Sequence, residues 1–260
     1  MLLQQTLDIL HELRLHGMII ALEEQLANPA IAALSFEERL GLLVDRERTH
    51  RENKRIKRLL RDAKLRTTQA CLEDLRFDAS RGLDKPLMAT LGTCQWIRSH
   101  QNVILTGATG CGKTWIACAL GNTACRQGIS VYYARAPRLF EELNVAHGDG
   151  TYVKRLQAIA KTDLLIIDDW GLAPLTQRDR TDLLEILDDR VGSRSTIITS
   201  QLPPDHWHAW INDPTLADAI LDRVLHASHR IALKGESLRR RKASTKEKNE
   251  TSHDSHFKSS

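Results

Sequence analysis

Leu3, Leu7, Leu10 and Leu13, then Leu22 and Leu26, recur at helical spacing, and Asn28-Pro29 closes the run. Residues 2–26 are therefore expected to form one amphipathic helix, bent at Gly17. Ser35 with Glu38 three residues later has the form of a capping box and opens a second long helix, whose apolar stripe is Leu40, Leu43 and Val44. From Arg46 to Arg66 this helix turns strongly cationic and keeps only Ile56, Leu59, Leu60 and Leu65 to pack. After Asn102 the pattern changes. Short apolar runs at Val103–Leu105, Ser130–Tyr133, Asp163–Ile167 and Ser195–Thr199 read as strands. They alternate with helical segments after Lys113, from about Pro137, and over Thr176–Val191. The alternation predicts an α/β fold, a parallel sheet covered by helices, preceded by a small all-α N-terminal domain. The expected boundaries are 1–68 for the helical domain, 69–238 for the α/β domain and 239–260 for a basic, disordered tail that is nearly free of apolar residues.

Composition narrows the class. A chain of 260 residues with 42% hydrophobic residues can bury a sizeable core. No apolar run approaches the roughly 20 residues that span a bilayer, and Met1–Asp8 lacks a basic segment ahead of an apolar one, so no membrane partner is expected. Cys71, Cys94, Cys111, Cys118 and Cys125 are odd in number and form no C-x-x-C pair, which argues against a disulfide framework or a zinc site. The formal net charge is only +4, so the cationic stretch is a local asymmetry.

The chemistry centres on Asn102–Trp115. An apolar strand runs into Gly107-Ala-Thr-Gly-Cys-Gly-Lys-Thr114, a G-x-x-x-x-G-K-T phosphate loop that opens a helix. Its glycines let backbone N–H groups turn toward phosphate oxygens, and the helix N-terminus adds positive potential. Lys113 is placed to reach β- and γ-phosphates, and the Thr114 hydroxyl to ligate Mg²⁺. ATP with Mg²⁺ is thus the expected ligand, with Gly107, Ala108, Thr109, Gly110, Cys111, Gly112, Lys113, Thr114 and Trp115 around it. Cys111, in the loop near a helix N-terminus, is expected to be alkylated at the expense of nucleotide binding. Asp163–Trp170 is a strand ending in two carboxylates. At the C-terminal end of an α/β strand, Asp168 can hold the Mg²⁺ shell and Asp169 can orient the attacking water. Thr196–Gln201 ends in polar groups that could bring Ser200 or Gln201 near the γ-phosphate. His206-Trp-His208 has no third ligand and reads as a surface turn; Trp96, Trp207 and Trp210 read as packing groups.

The segments Gly107–Thr114, Leu164–Gly171, Thr199–Pro203, Asp218–Val224 and Gly235–Arg239 together resemble, in order, the IstB-like helper ATPases of insertion-sequence transposition. These are AAA+ P-loop NTPases related to the DnaC helicase loader. The likeness covers almost the whole chain except the tail. It implies that Gln201 occupies the sensor-one position, that Arg223 is an arginine finger reaching a neighbouring subunit's ATP, and that Arg239 is the sensor-two arginine. A finger supplied in trans makes hydrolysis depend on assembly. Asp169, one methylene shorter than the glutamate common in AAA+ enzymes, implies slow turnover suited to a timer. The resemblance further implies an ATP-dependent homo-oligomer that binds DNA, selects or remodels target DNA and engages the element's transposase; a bacterial, cytoplasmic protein is expected.

The cationic helix is either a solvated face or a contact surface for DNA phosphates, with Arg51, Lys54, Arg55, Lys57, Arg58 and Arg61 as the candidates and Arg239–Lys242 as a second set. Aromatic content of 5%, without basic interleaving, favours duplex backbone contact over single-strand stacking. Three rival functions share the phosphate loop: a DnaC-like replicative helicase loader, a small-molecule kinase, and a nucleotide-binding structural partner that never hydrolyses ATP.

Overall fold

A computed structural model describes residues 3–75, 77 and 81–235. The expected tail, Arg239 included, lies outside the described residues. The chain divides into two compact units, Met1–Arg58 and Leu59–Ser260, so residues 59–68 pack with the second.

In the first unit the leucine-spaced run forms two helices, α1 (Leu3–Glu12) and α2 (His16–Ala27), where one was expected. The break falls at residues 13–15 and not at Gly17. Arg14 is left-handed (φ 57°), and the Leu15 N–H reaches back to the Leu10 carbonyl at 2.9 Å, a Schellman-type stop without glycine. Gly17 serves a different purpose. A Cβ there would sit 2.6 Å from Glu47 Cα and 2.7 Å from the Arg46 carbonyl, so α2 crosses α3 (Phe36–Asp62) backbone against backbone. The expected capping box is present at the start of α3. Glu38 N–H donates to Ser35 Oγ at 3.3 Å, and Ser35 N–H donates to the Glu38 carboxylate at 2.9 Å. The helix stops at Asp62, short of Arg66, and Lys64 turns left-handed (φ 52°). Its stripe is not buried, since Leu40 and Val44 are exposed.

The second unit is built on a five-stranded sheet of order β2-β3-β4-β1-β5, parallel throughout. The strands are β1 (Asn102–Gly107), β2 (Val131–Arg135), β3 (Leu164–Trp170), β4 (Ser195–Ser200) and β5 (Ser228–Leu233). The first four read as nearly continuous apolar runs because the sheet is covered on both faces. Val103, Leu105, Leu164, Ile166 and Ile197 share one core with α4 (Lys85–Gly92), α5 (Gln95–Arg98) and α6 (Lys113–Arg126). Ile104, Leu165, Ile167 and Ile198 point the other way, into a core shared with α7 (Ala136–Asp149), α8 (Tyr152–Lys161), α9 (Gln177–Asp188), α10 (Trp207–Ile211) and α11 (Pro214–Leu225). The expected helix over 176–191 is α9, with Thr176 and Asp179 closing a capping box at its start.

The strand order decides what meets at the C-terminal edge of the sheet. β4 lies between β1, which feeds the phosphate loop, and β3, which ends in Asp168-Asp169. The β3–β4 register slips between Ile167 and Trp170, a bulge that turns Asp169 left-handed (φ 60°) and aims the two carboxylates differently.

Candidate nucleotide site

The phosphate loop adopts the backbone its glycines allow. Gly107, Gly110 and Gly112 have φ of 141°, 84° and 102°, and a Cβ at Gly107 would run into the Leu233 carbonyl. Lys113 is buried and its Nζ donates to the Gly107 and Ala108 carbonyls at 2.6 and 2.9 Å, so the ammonium lies along the loop. Ala108 and Thr109 are exposed at the loop's tip, whereas Trp115, in the first turn of α6, packs back against the core. Cys111 is buried at 2% exposure with Sγ 4.0 Å from Lys113 Nζ, so a thiol reagent reaches it only when the loop opens. All five cysteines are free thiols. The Cys111 carbonyl accepts from buried Arg81 at 3.0 Å, an anchor for the loop that no spacing in the sequence announces.

Asp168 has no exposed surface. Its carboxylate accepts from Thr114 Oγ1 at 3.0 and 3.1 Å, from the Tyr133 hydroxyl at 2.6 Å, and from Thr199 Oγ1. Burial, and then the bond to Asp168, push the Tyr133 phenol well above its ordinary pKa, so it remains a donor. Thr114 and Asp168 thus present hard oxygen atoms side by side at the start of α6, a donor set suited to Mg²⁺. Inward-turned loop glycines, a lysine ammonium and this oxygen pair fit a magnesium nucleotide. Bound there, it would supply the γ-phosphate and the Lewis acid; the chain's own contribution is the cradle and the fixed carboxylate.

Asp169 stands in a different environment. Its Oδ2 accepts from Arg135 Nε at 2.8 Å and lies 3.8 Å from Arg66 Nη1, which is equally 3.8 Å from Asp168 Oδ2. The Asp169 N–H donates to Thr199 Oγ1 at 3.1 Å, so one threonine of β4 holds both the Asp168 carboxylate and the Asp169 backbone. Ser200 is taken up structurally, donating to the Trp170 carbonyl at 2.8 Å, and Gln201 is exposed just past β4. Arg223 on α11 donates to Asp188 at the end of α9 and to the Ala219 carbonyl at 2.7 Å. Thr199, Tyr133, Arg66, Arg135 and Arg81 were not among the residues expected at the site. For Thr199 the signal was present: a threonine one residue before the polar strand end.

The cationic candidates on α3 are exposed. Arg51 pairs with Glu47 at 2.6 Å and Arg61 with Asp62 at 2.9 Å, while Lys54, Arg55, Lys57 and Arg58 also face solvent. Trp96 and Trp207 are buried and donate to the Leu91 and Leu202 carbonyls, both at 2.9 Å, and Trp210 packs edge-on against Trp170. Among the described residues there is no group of three or more histidine, cysteine, aspartate or glutamate side chains suited to a metal, and no helix long and apolar enough to cross a membrane.

A phosphate loop after the second-last strand of a β2-β3-β4-β1-β5 parallel sheet, with a strand-end carboxylate bonded to the loop's threonine, defines an AAA+ nucleotide-binding protein. Residues 8–246 match the IstB-like ATP binding protein family, and the chain belongs to it. It is 59% identical over 203 residues to a Pseudomonas fluorescens protein named as an ATP-binding protein of insertion sequence IS1162, covering 78% of this chain and 88% of that one. A Sinorhizobium fredii protein, y4pL, named for insertion-sequence ATP binding, is 51% identical over 92% of this chain and 98% of its own. Among solved structures, DnaI superposes with a TM-score of 0.56 at 20% identity, covering 68% of this chain and 94% of DnaI. The DnaC helicase loader gives 0.54 at 18%, with 64% and 97% covered. At such identities these two likenesses speak for the fold alone. The chain is therefore an AAA+ ATP-binding protein linked to insertion-sequence transposition.

Proposed function

We propose that the chain is an ATPase that assembles as a homo-oligomer on duplex DNA with Mg·ATP, selects or remodels that DNA, and stimulates the element's transposase in the bacterial cytoplasm. The observation that carries the reading is the Thr114–Asp168 hydrogen bond. It joins phosphate loop and strand-end carboxylate in a chain 59% identical to an insertion-sequence ATP-binding protein. In this reading Lys113 holds the phosphates, Thr114 and Asp168 hold Mg²⁺, and Asp169 orients the attacking water. Gln201 and Arg239 attend the γ-phosphate of their own subunit, and Arg223 attends that of a neighbour. Arg223 is engaged by Asp188 within its own chain, so serving a neighbour's ATP requires the guanidinium to exchange partners on assembly. The proposed division of labour is 1–68 for partner, subunit and DNA contacts, with its last residues 63–68 packed onto the ATP unit, 69–238 for ATP, and 239–260 as the tail that supplies Arg239. Arg51, Lys54, Arg55, Lys57, Arg58 and Arg61 are the proposed DNA-phosphate contacts.

Sedimentation of the wild type and Arg223→Ala with duplex DNA, with and without ATP, tests this when turnover is measured in the same samples. Wild type should assemble only with ATP and DNA, and the variant should lose turnover by about 10³-fold or more, the scale of an arginine finger. A monomer that hydrolyses ATP equally with or without DNA and Arg223 would overturn the reading. Co-purification with a replicative helicase in place of a transposase would move the protein to the helicase-loader class.

A further inference from the structure

The segment between α3 and the sheet is stitched down at several points. The Ala63 carbonyl accepts from Tyr133 N–H at 3.0 Å, Leu65 is buried against α6, and the Thr68 carbonyl accepts from Asn122 at 3.0 Å. Arg66 is therefore delivered to the nucleotide site by an anchored backbone. Its guanidinium stands 3.8 Å from both Asp168 and Asp169. Both ion pairs are long, and neither is within hydrogen-bond distance. An arginine carries five N–H donors in a planar fork matched to phosphate oxygens. Arg135, by contrast, is committed to Asp169 through a 2.8 Å hydrogen bond.

We propose that Arg66 is a further catalytic residue of the ATP site, a cis-acting arginine that contacts the γ-phosphate when Mg·ATP is bound. The inference rests on the nucleotide reading above and adds a residue to it. Charge explains the exchange. Arg66 and Arg135 balance the two carboxylates of Asp168 and Asp169. A divalent cation held by Thr114 and Asp168 would give Asp168 a further counter-charge and loosen one of the two Arg66 ion pairs, making that guanidinium available to phosphate oxygens. Such a contact distinguishes ATP from ADP and strengthens as charge shifts during phosphoryl transfer.

The test is equilibrium binding of ATP and of ADP, each with Mg²⁺, to the full chain and to Arg66→Gln and Arg66→Lys, with melting temperature and DNA-stimulated turnover measured alongside. Arg66→Gln should weaken ATP by roughly tenfold or more while leaving ADP nearly unchanged. Its kcat should fall on the order of 100-fold, and Arg66→Lys should recover part of both. Equal weakening of ATP and ADP with a lower melting temperature would overturn the proposal and leave Arg66 as a structural counter-ion of Asp168. Unchanged affinities and turnover would overturn it as well. Failure of the wild type to bind either nucleotide would instead reject the ATP reading beneath it, and the two failures are distinguishable.

Discussion

A carboxylate with no exposed surface must be solvated by the protein, and Asp168 shows which groups do so: hydroxyls from α6, β2 and β4, with Arg66 at longer range. Each hydroxyl comes from a different element, so losing one leaves a buried charge short of a donor. Tyr133→Phe should lower unfolding free energy by about 1–3 kcal/mol, measured by denaturant titration without nucleotide. A loss near zero would mean that the phenol is dispensable to the buried carboxylate. The halves of this site were unequally legible. Gly107–Thr114 could be read directly because its chemistry is local, fixed by spacing along eight residues. Asp168 and Asp169 could be read because a strand end is a recognisable place. Thr199, Tyr133 and Arg135 reach those carboxylates only through strand order and a bulge, and Arg66 through the packing of the segment after α3; no pattern along the chain records which of these become neighbours. Arg223 shows the same limit: its partner Asp188 is 35 positions away in sequence, beyond any helical spacing.

At the scale of elements, polar groups supplied from elsewhere decide where helices begin and end. Leu15 offers α2 no side-chain cap, yet the first-turn N–H groups of Gly17 and Met18 are satisfied by the Glu47 carboxylate at 2.7 and 3.2 Å, with Arg51 on its other oxygen at 2.6 Å. Burial would raise the Glu47 pKa, but the hydrogen bonds from Arg51, Gly17 and Met18 outweigh it and hold the group below its ordinary 4.5. A depressed carboxylate stabilises the fold above the unfolded pKa and loses that contribution as pH falls through the folded one. Glu47→Ala should cost the N-terminal unit about 1–3 kcal/mol at neutral pH. The stability gap between wild type and Glu47→Gln should close as wild-type Glu47 protonates in acid. Hydrogen exchange of the α2 amides is the readout, and a gap independent of pH would remove the charge from this account. The same dependence on distant partners explains why the leucine run read as one helix: the spacing is continuous, but the chain stops at Arg14 and restarts against α3. Edge strand β5 leaves no long apolar run in the sequence because only Ile231 and Leu233 of its six residues are buried. Helix α8 is set off from α7 by the left-handed Gly150 and by Thr151.

For the whole molecule the question is whether duplex DNA would be held by a general positive field or by one surface. With a formal net charge of +4, the overall field is weak. Six cations, Arg51, Lys54, Arg55, Lys57, Arg58 and Arg61, lie exposed within 11 consecutive positions of α3, dense enough to track a phosphate backbone. Neutralising all six takes the formal charge from +4 to −2, so a drop in affinity alone would not separate the two explanations. The separation comes from the salt slope and a matched control. If these residues displace counterions directly, their removal should flatten the dependence of log K on log salt by roughly 0.9 for each phosphate no longer neutralised. Neutralising six exposed cations outside α3 would give the same net charge and should leave that slope nearly intact. Equal flattening in both variants would assign DNA binding to the field of the whole chain and leave the helix as an ordinary solvated face, the bland alternative its Glu47–Arg51 and Arg61–Asp62 pairs would then fit.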